Sequence, residues 1–410
     1  MDYIDRRSFL AAAGGLAAVS LLPTHLPAAL VLDQPLRLGL VGFGRQARAI
    51  ASEVAKLGSA AKIVAVADTD PQRLASAGTR VAGAATFESH AAMLDKAKDV
   101  QAVIIATPTH QHRGPAVDAI SAGKHVYCEA PLAHTLDDGR AIARAAGGAK
   151  VVVAVGHEGR SNPVYGLART FFKTDAFKDM VAMRTHFAQK TSWRVPASDP
   201  SREKALNWRL DPALSAGLLG EIVAHQLDVV HWYRGRHPVS VRATGGIRLH
   251  SDGRTAPDTV AADFTFADGT TLHSAATIAN SYEGRYELMQ GSASAIRLAW
   301  SHGWMFKESD SPTQGWEVYA NRQTFHTDVG ITLIADATQL ASQGKLKEGV
   351  GLPNDPLYYS LESFLKAAAS GKAPACSAED AFKTLAVTLA ASEALASGKD
   401  VTIDPASLKA

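Results

Sequence analysis

Leu36-Arg37-Leu38-Gly39-Leu40-Val41-Gly42-Phe43-Gly44-Arg45-Gln46-Ala47 decides the fold. An apolar run of strand type ends in a Gly-x-Gly-x-x-Ala turn, and a helical pattern follows at once. Gly42 permits a tight turn, Gly44 lets the backbone approach a phosphate, and Ala47 lets the helix pack closely on the strand. The free N–H groups and dipole at the helix start then face an anion. A glycine-rich turn alone is also what an ordinary loop shows, so context matters. A second apolar run, Ile63-Val64-Ala65-Val66-Ala67, ends in Asp68, about twenty residues past Ala47, where a carboxylate takes ribose hydroxyls. Together these predict a dinucleotide site with Phe43, Arg45 and Gln46 in its turn. Asp68 and Asp70 would repel a 2′-phosphate, and the single Arg73 beside them does not offset both, so NAD is expected rather than NADP.

Outward from this stretch the pattern keeps alternating. Strands are predicted at Leu36–Val41, Ile63–Ala67, Val100–Ala106, His125–Cys128 and Val151–Val155. Helical stretches such as Ala47–Leu57, Pro71–Ala77, Ser89–Leu94, Pro115–Ala122 and Leu136–Ala146 lie between them. Near-continuous apolar strands mean an α/β domain with a parallel Rossmann sheet covered on both faces, over residues 35–156. The third strand ends in Ala106-Thr107-Pro108-Thr109-His110-Gln111-His112. Ligands bind beyond the carboxyl ends of such strands, which places Thr107, Pro108, Thr109 and His110 beside the cofactor. His112 either lines the cofactor or caps the helix that starts near Pro115.

After Gly156 the texture changes. A helix near Pro163–Phe172 and a strand, Met180–Gln189, lead into a polar loop carrying Trp193, Arg194, Trp208 and Arg209. Aromatic faces with Arg and Asn suit a polyhydroxylated substrate. A surface loop pinned by two buried tryptophans reads the same way. A helix, Ser215–Trp232, follows, then segments that alternate as antiparallel strands: Val239–Arg248, Thr259–Phe266, Thr270–Ala276 and Tyr286–Gln290. Asp268-Gly269 signals a hairpin. Two helical runs, Leu357–Ala369 and Ala378–Ala396, close the chain, and the last is expected to pack back near the domain junction.

On the helix Ser215–Trp232, the residues Glu221, His225, Asp228 and Trp232 recur at offsets of four, three and four, which predicts one shared face. A carboxylate, an imidazole and a second carboxylate in a row can move a proton near neutral pH. The same face can equally be a polar stripe satisfied in the interior. No further His falls at metal-ligand spacing, so no metal is expected.

The 410 residues predict more than one domain, and 46% hydrophobic with 20% charged residues is a globular composition. A net charge of +2 and no basic–aromatic interleaving exclude a nucleic-acid footprint. The two cysteines, Cys128 and Cys376, read as buried thiols, with a single bridge as the alternative. Residues 1–34 stand apart from the fold. Arg6-Arg7 ahead of an Ala-rich apolar stretch looks like a twin-arginine export signal, with a basic-flanked membrane anchor as the other reading. The expected location is exported and periplasmic, tethered if the segment is retained, with the twin-arginine machinery as a partner.

Several motifs combine into a resemblance. Gly42-Phe43-Gly44-Arg45-Gln46-Ala47, Asp68, Ala106-Thr107-Pro108-Thr109-His110, Gly123-Lys124-His125-Val126-Tyr127-Cys128-Glu129-Ala130-Pro131-Leu132-Ala133 and Glu221-x-x-x-His225-x-x-Asp228 resemble the Gfo/Idh/MocA oxidoreductases. The resemblance runs from about Leu36 to Ile403. It implies a second α/β domain with a large, mostly antiparallel sheet over 157–410, one face of which often joins copies into a homo-oligomer, a dimer or tetramer. It implies a sugar substrate between the domains, His225 as acid/base, and Glu129 and Pro131 on the cofactor side of the cleft. Arg160 matches a basic residue at the domain junction, in a substrate-binding or structural role. Two departures stand out: the family's usual Glu-Lys-Pro is Glu129-Ala130-Pro131, which leaves the Lys role vacant or filled by another residue, and its usual Asp four residues before the His is Glu221.

Three functions follow. The first is hydride transfer from a sugar, glycoside or cyclitol hydroxyl. The second is a redox-neutral glycosidase or lyase acting through a transient keto-sugar. The third is a binding protein of the same fold. Export favours tightly bound NAD, because no free nicotinamide pool is expected outside the cytoplasm.

Overall fold

The computed structural model describes residues 34–197, 199–313, 322–325, 328–333 and 351–410. The Arg6-Arg7 segment lies outside the described residues. Six parallel strands form the first sheet: β1 (Leu36–Val41), β2 (Ala61–Ala67), β3 (Ala85–Phe87), β4 (Ala102–Ile105), β5 (His125–Cys128) and β6 (Val153–Val155). Their order is β3-β2-β1-β4-β5-β6, with the reversal between β1 and β4 where such folds bind ligands. The short edge strand β3, half exposed, is absent from the sequence reading because it carries no continuous apolar run.

Helices α1 (Arg45–Lys56), α2 (Pro71–Arg80), α3 (His90–Lys96), α4 (Arg113–Ser121) and α5 (Leu136–Gly147) cover the two faces. Three start on side-chain caps readable in the sequence: Asp70 before Pro71, Ser89, and Thr135 ahead of Asp137 and Asp138. One face buries Leu38, Leu40, Ile50 and Ile104, the other Val41, Ala65, Met93 and Ile105.

The tail returns to this sheet. Helix α6 (Pro163–Phe172) opens the second half, and α7 (Ala224–Arg234), α8 (Pro356–Ser370) and α9 (Ala378–Ser397) follow. Leu357, Leu361, Phe364 and Leu365 of α8 join the same core as β1 and α1. Val155 N–H donates to the Cys376 carbonyl at 3.1 Å, and the Tyr127 hydroxyl meets Ser360 Oγ at 3.0 Å. A division at residue 156 therefore leaves part of the first core in the later segment. Cys128 and Cys376 are both buried and free, within one apolar cluster.

The second sheet has ten strands. In chain order they are β7 (Met180–Ala188), β8 (Ser240–Gly246), β9 (Thr259–Thr265), β10 (Thr271–Thr277), β11 (Arg285–Gly291), β12 (Ser294–Ala299), β13 (His302–Lys307), β14 (Arg322–Phe325), β15 (Asp328–Thr332) and β16 (Val401–Thr402). They lie in the order β14-β15-β13-β12-β11-β7-β10-β9-β8-β16, antiparallel except for the β7–β10 pair. Alternating burial along β8, β9 and β10 turns Val241, Val260, Phe264 and Leu272 toward a core shared with α6, α7 and α9. Asp268-Gly269 turns the β9–β10 hairpin, with Gly269 N–H on the Phe266 carbonyl at 2.9 Å. Among the described residues no helix is long and apolar enough to cross a membrane.

The predicted helix Ser215–Trp232 needs correction. The helix starts at Gly217, residues Leu219–Val223 form a π turn within it, and regular α-helix resumes at Ala224. The wider turn rotates Glu221 away from where an α-helical offset of four would put it.

Candidate active site

The glycine-rich turn follows β1. Gly42 has φ +85°, and a Cβ there would lie 2.9 Å from both the Ala106 carbonyl oxygen and the Thr107 nitrogen. Only glycine fits that approach. Gly44 stands at the start of α1 without any side-chain cap, and a Cβ there would meet nothing within 4 Å. Open space before uncapped helix N–H groups is what a pyrophosphate needs. Asp68, at the end of β2, is fixed by Phe43 N–H at 2.6 Å and Asp70 N–H at 2.8 Å. Each of its oxygens keeps a lone pair for a ribose hydroxyl. Arg73 reaches Asp68 only at 3.9 Å.

The far wall is built by the ends of β4 and β5. Thr107 Oγ1 is buried with no hydrogen-bond partner in the protein, an orphan that a ribose hydroxyl would satisfy. Thr109 Oγ1 donates to Glu221 Oε1 at 3.0 Å, tying the cofactor strand to the π turn. Pro108 leads into the short turn that carries Thr109 and His110. The His110 ring lies 5.9 Å from that of His134 and 5.8 Å from Trp208, and burial lowers its pKa. His112 is structural. Its ring nitrogens face the Pro131 carbonyl at 3.1 Å and the Thr107 carbonyl at 3.0 Å, its side chain caps no helix, and burial pushes its pKa to about 4. Gln46 Nε2 donates to Glu129 Oε1 at 3.3 Å, and burial raises Glu129 to about 7. Arg45 begins α1 and is exposed. These residues fit a nicotinamide dinucleotide.

His225 sits in the first turn of α7, partly exposed, with Nδ1 buried and unpartnered. Its ring meets that of His157 edge-on at 5.3 Å. Burial first, then the charges of His157 and Arg285, hold its pKa well below the ordinary value. A neutral imidazole at pH 7 is a proton acceptor.

The expected row of Glu221, His225 and Asp228 is not assembled. Glu221 accepts from Thr109, from Ser215 Oγ at 3.1 Å and from Arg209 Nε at 3.2 Å. Asp228 is fully buried and takes both Nε and Nη2 of Arg160 at 2.8 Å, while Arg160 also meets Asp380 at 3.1 Å. Arg160 is thereby committed to an ion pair rather than aimed at a ligand. Trp232 lies under the Arg169 guanidinium at 4.7 Å, away from the cleft.

The polar loop divides. Trp208 is buried against His110, with the Arg209 guanidinium 4.4 Å over its ring, so both join the site. Trp193 packs against the second core, and Arg194 is held by Glu203 and by Asp252. The same loop sends Arg202 back to Asp70 and Gln72 at the start of α2.

The sequence reading missed His157, Glu158 and Arg285. Burial raises Glu158 to about 8, with the Glu129 charge adding to it. The first two follow β6 directly, at the carboxyl end of a parallel strand, and that position was the available signal. Arg285 opens an antiparallel strand and carries none. Among the described residues no cluster of three or more His, Cys, Asp or Glu is arranged to hold a metal ion.

Comparison with known proteins agrees with this architecture. An oxidoreductase family model with an NAD-binding Rossmann fold, Gfo/Idh/MocA, matches residues 36–157, and the C-terminal domain model of the same family matches residues 164–296. Together these cover more than half of the chain, which therefore belongs to the Gfo/Idh/MocA oxidoreductases, and its first domain binds NAD. Levoglucosan dehydrogenase of Pseudarthrobacter phenanthrenivorans is 29% identical over 171 residues, 42% of this chain and 42% of that protein. The 2,7-anhydro-N-acetylneuraminate hydratase of Escherichia coli is 28% identical over 158 residues, 38% of this chain and 40% of that protein. The match thus spans less than half the length of either relative. Inositol 2-dehydrogenase of Rhizobium meliloti is 25% identical over 381 residues, 90% of this chain and 99% of that protein. The solved levoglucosan dehydrogenase complex with NADH and levoglucosan superposes with a TM-score of 0.73 at 22% identity, over 90% of this chain and 100% of that one, and shares the fold.

Proposed function

We propose that the protein is an exported oxidoreductase that removes hydride from a sugar, glycoside or cyclitol hydroxyl onto tightly bound NAD, with His225 as acid/base. The observation that carries this is a partly exposed imidazole packed edge-on against His157, just beyond the carboxyl end of β6, its pKa depressed by burial. NAD supplies the hydride acceptor when bound. The chain's own residues do the rest. The Gly42–Gly44 turn and the start of α1 receive the pyrophosphate, and Asp68 receives ribose hydroxyls. His225 takes the hydroxyl proton. Arg209, stacked on the buried Trp208 and itself partly exposed, offers donors to a polyol. The relatives named for levoglucosan and inositol support a polyhydroxylated ring as substrate. Export rests on Arg6-Arg7, and it favours a cofactor loaded before translocation and regenerated in place. Association of copies through the open face of the ten-stranded sheet belongs to the same reading.

A second reading is redox-neutral cleavage through a transient keto-sugar. It is supported by the relative named as a hydratase and by the buried Glu129 and Glu158, whose pKa values lie near 7 and 8 and suit proton transfer at a neighbouring carbon. The test is purification from an exporting host, denaturation and identification of released nucleotide, then a panel of sugars, cyclitols and glycosides scored for reduced cofactor and cleaved aglycone. Stoichiometric NAD with reduction supports the first reading, and cleavage without net reduction the second. A protein with no nucleotide and no affinity for it overturns both.

A further inference from the structure

Residues 199–210 are fastened to the carboxyl edge of the first sheet at two points. At one, Arg202 Nη2 donates to Asp70 Oδ2 and Nη1 to Gln72 Oε1. Asp70 stands two residues past Asp68, the carboxylate placed for ribose hydroxyls, and its N–H donates to Asp68 Oδ1 at 2.8 Å. At the other, the Trp208 ring lies 5.8 Å from that of His110, and Arg209 Nε donates to Glu221 Oε2 at 3.2 Å. Asp70 lies just past β2 and His110 just past β4, with β1 and its glycine turn between them. Two strand spacings, ~10 Å, separate the ends of β2 and β4, across the groove assigned to the pyrophosphate.

Between these points the chain is a small unit of its own. Asp199 accepts from the Ser201 N–H at 2.9 Å through its side chain and from the Arg202 N–H at 3.0 Å through its carbonyl. The Asn207 side chain pairs with the Val195 backbone in both directions, at 2.7 and 3.0 Å. No residue from 199 to 206 is buried. Apolar packing therefore does not hold this stretch on the first sheet, and the side chains at its two ends do. An incidental surface pair is the simpler account of Arg202 and Asp70. Asp70 has no local need of it, because it already caps α2 through the Gln72 N–H at 2.9 Å and has Arg73 Nε at 3.7 Å. Arg202 is 26% exposed, and its guanidinium forks between two side chains of another domain, a fixed geometry rather than a loose one.

We propose that residues 199–210 form a strap across the dinucleotide groove and complete the NAD site from the second domain, with Arg202 as the latch that must open before NAD leaves. This rests on the proposed reading of tightly bound NAD and names the residues that make it tight. The exposed stretch from 199 to 206 opens by a local movement that spares both apolar cores. The latch is charge-assisted and partly exposed, strong enough to slow release and weak enough to break. Arg202 acts through Asp70 and Gln72, so it is a positioning residue that retains the cofactor rather than a group that reacts. Trp208 and Arg209 keep the other end beside His110 and Glu221, so the strap that holds the cofactor also carries donors toward the substrate.

The test follows exchange of bound NAD for excess deuterium-labelled NAD in the holoprotein, read by mass spectrometry of the nucleotide freed on denaturation. It needs no turnover. Arg202→Met removes the latch and leaves the strap's own hydrogen bonds in place. Exchange is then about tenfold faster, the share of a charge-assisted contact that survives solvent screening, at an unchanged melting temperature of the NAD-free protein. Arg202→Lys keeps the charge beside Asp70 and recovers part of the difference. A second variant, Arg202→Cys with Gln72→Cys, is loaded with NAD and joined by a bismaleimide linker, which shuts the strap. Cys128 and Cys376 are buried and stay out of that reaction. Exchange in the joined protein is slower than in the wild type. Equal exchange rates in wild type and Arg202→Met overturn the proposal, and so does a joined protein that exchanges NAD as fast as its unjoined form. Wild-type protein whose NAD exchanges within the mixing time defeats the reading of tight binding instead, and comparison of the joined and unjoined forms then still decides whether the strap closes the groove.

Discussion

Replacing Asp228 by Asn separates structural from catalytic use of the helix that carries His225. The carboxylate is fully buried and accepts two N–H bonds from Arg160 at 2.8 Å each, plus the Thr384 hydroxyl at 3.2 Å. Removing one member of a buried ion pair costs ~3–5 kcal/mol, chiefly because the other charge is left uncompensated. Arg160 retains Asp380 at 3.1 Å, but that carboxylate is 41% exposed and screened by solvent, so a value near the lower end, ~3 kcal/mol, is expected. For a chain this long, at ~2 °C or less per kcal/mol, the melting temperature falls by about 5 °C. Calorimetry and urea unfolding measure this directly. A double variant, Arg160→Met with Asp228→Leu, regains most of the loss because both charges leave together. The opposing view makes Asp228 the carboxylate that orients His225. A kcat reduced a hundredfold at unchanged melting temperature in Asp228→Asn would refute the structural assignment.

Gly44→Val leaves stability within ~1 kcal/mol, since its Cβ enters open space, yet abolishes NAD binding in calorimetric titration. Gly42→Ala loses both: at φ +85° and 2.9 Å from the Ala106 carbonyl, the new Cβ costs ~1–3 kcal/mol and displaces the turn, which urea unfolding and NAD titration detect together. Glu158→Gln changes the pH dependence of folding. The folded-state pKa of Glu158 is raised from 4.5 to about 8, so its neutral form favours folding fully below 4.5, and that contribution is lost as pH rises to about 8. The variant therefore melts above wild type at pH 8.5, by up to ~5 kcal/mol in stability, and equals it at pH 4.5. Equal melting curves at both pH values would show that Glu158 is not held neutral.

Most of the first sheet was legible because its determinants are local. An apolar run, a glycine-rich turn, Asp70-Pro71 and a cap such as Ser89 each speak for a few neighbouring residues. The second sheet showed only where burial alternates. β12 to β16 were not named; β12–β13 and β14–β15 pair as sequence neighbours, while the two-residue β16 is a strand only through its pairing with the distant β8. The same limit applies to the site. His225 and the cofactor turn follow from motif and spacing. The separation of Glu221 from His225 depends on a π turn, one extra residue that no hydrophobic period announces. The charge of Arg285 acts on His225 and Glu158 only through the register of β11 against β7, which pairs Arg285 with Phe187. Trp208 and Trp193 look equivalent in sequence, and the path of the loop between them decides which one meets His110.

The return of Leu357, Leu361, Phe364 and Leu365 to the core under β1 has a consequence for biosynthesis. On the ribosome, β1 to β6 emerge about 200 residues before α8, which is roughly 10–40 s of elongation. During that interval the nascent dinucleotide-binding half exposes an unfinished apolar face. An exposed apolar face of that kind is expected to recruit chaperones until α8 docks. The first domain is thus completed by a helix made about 200 residues after its own last strand.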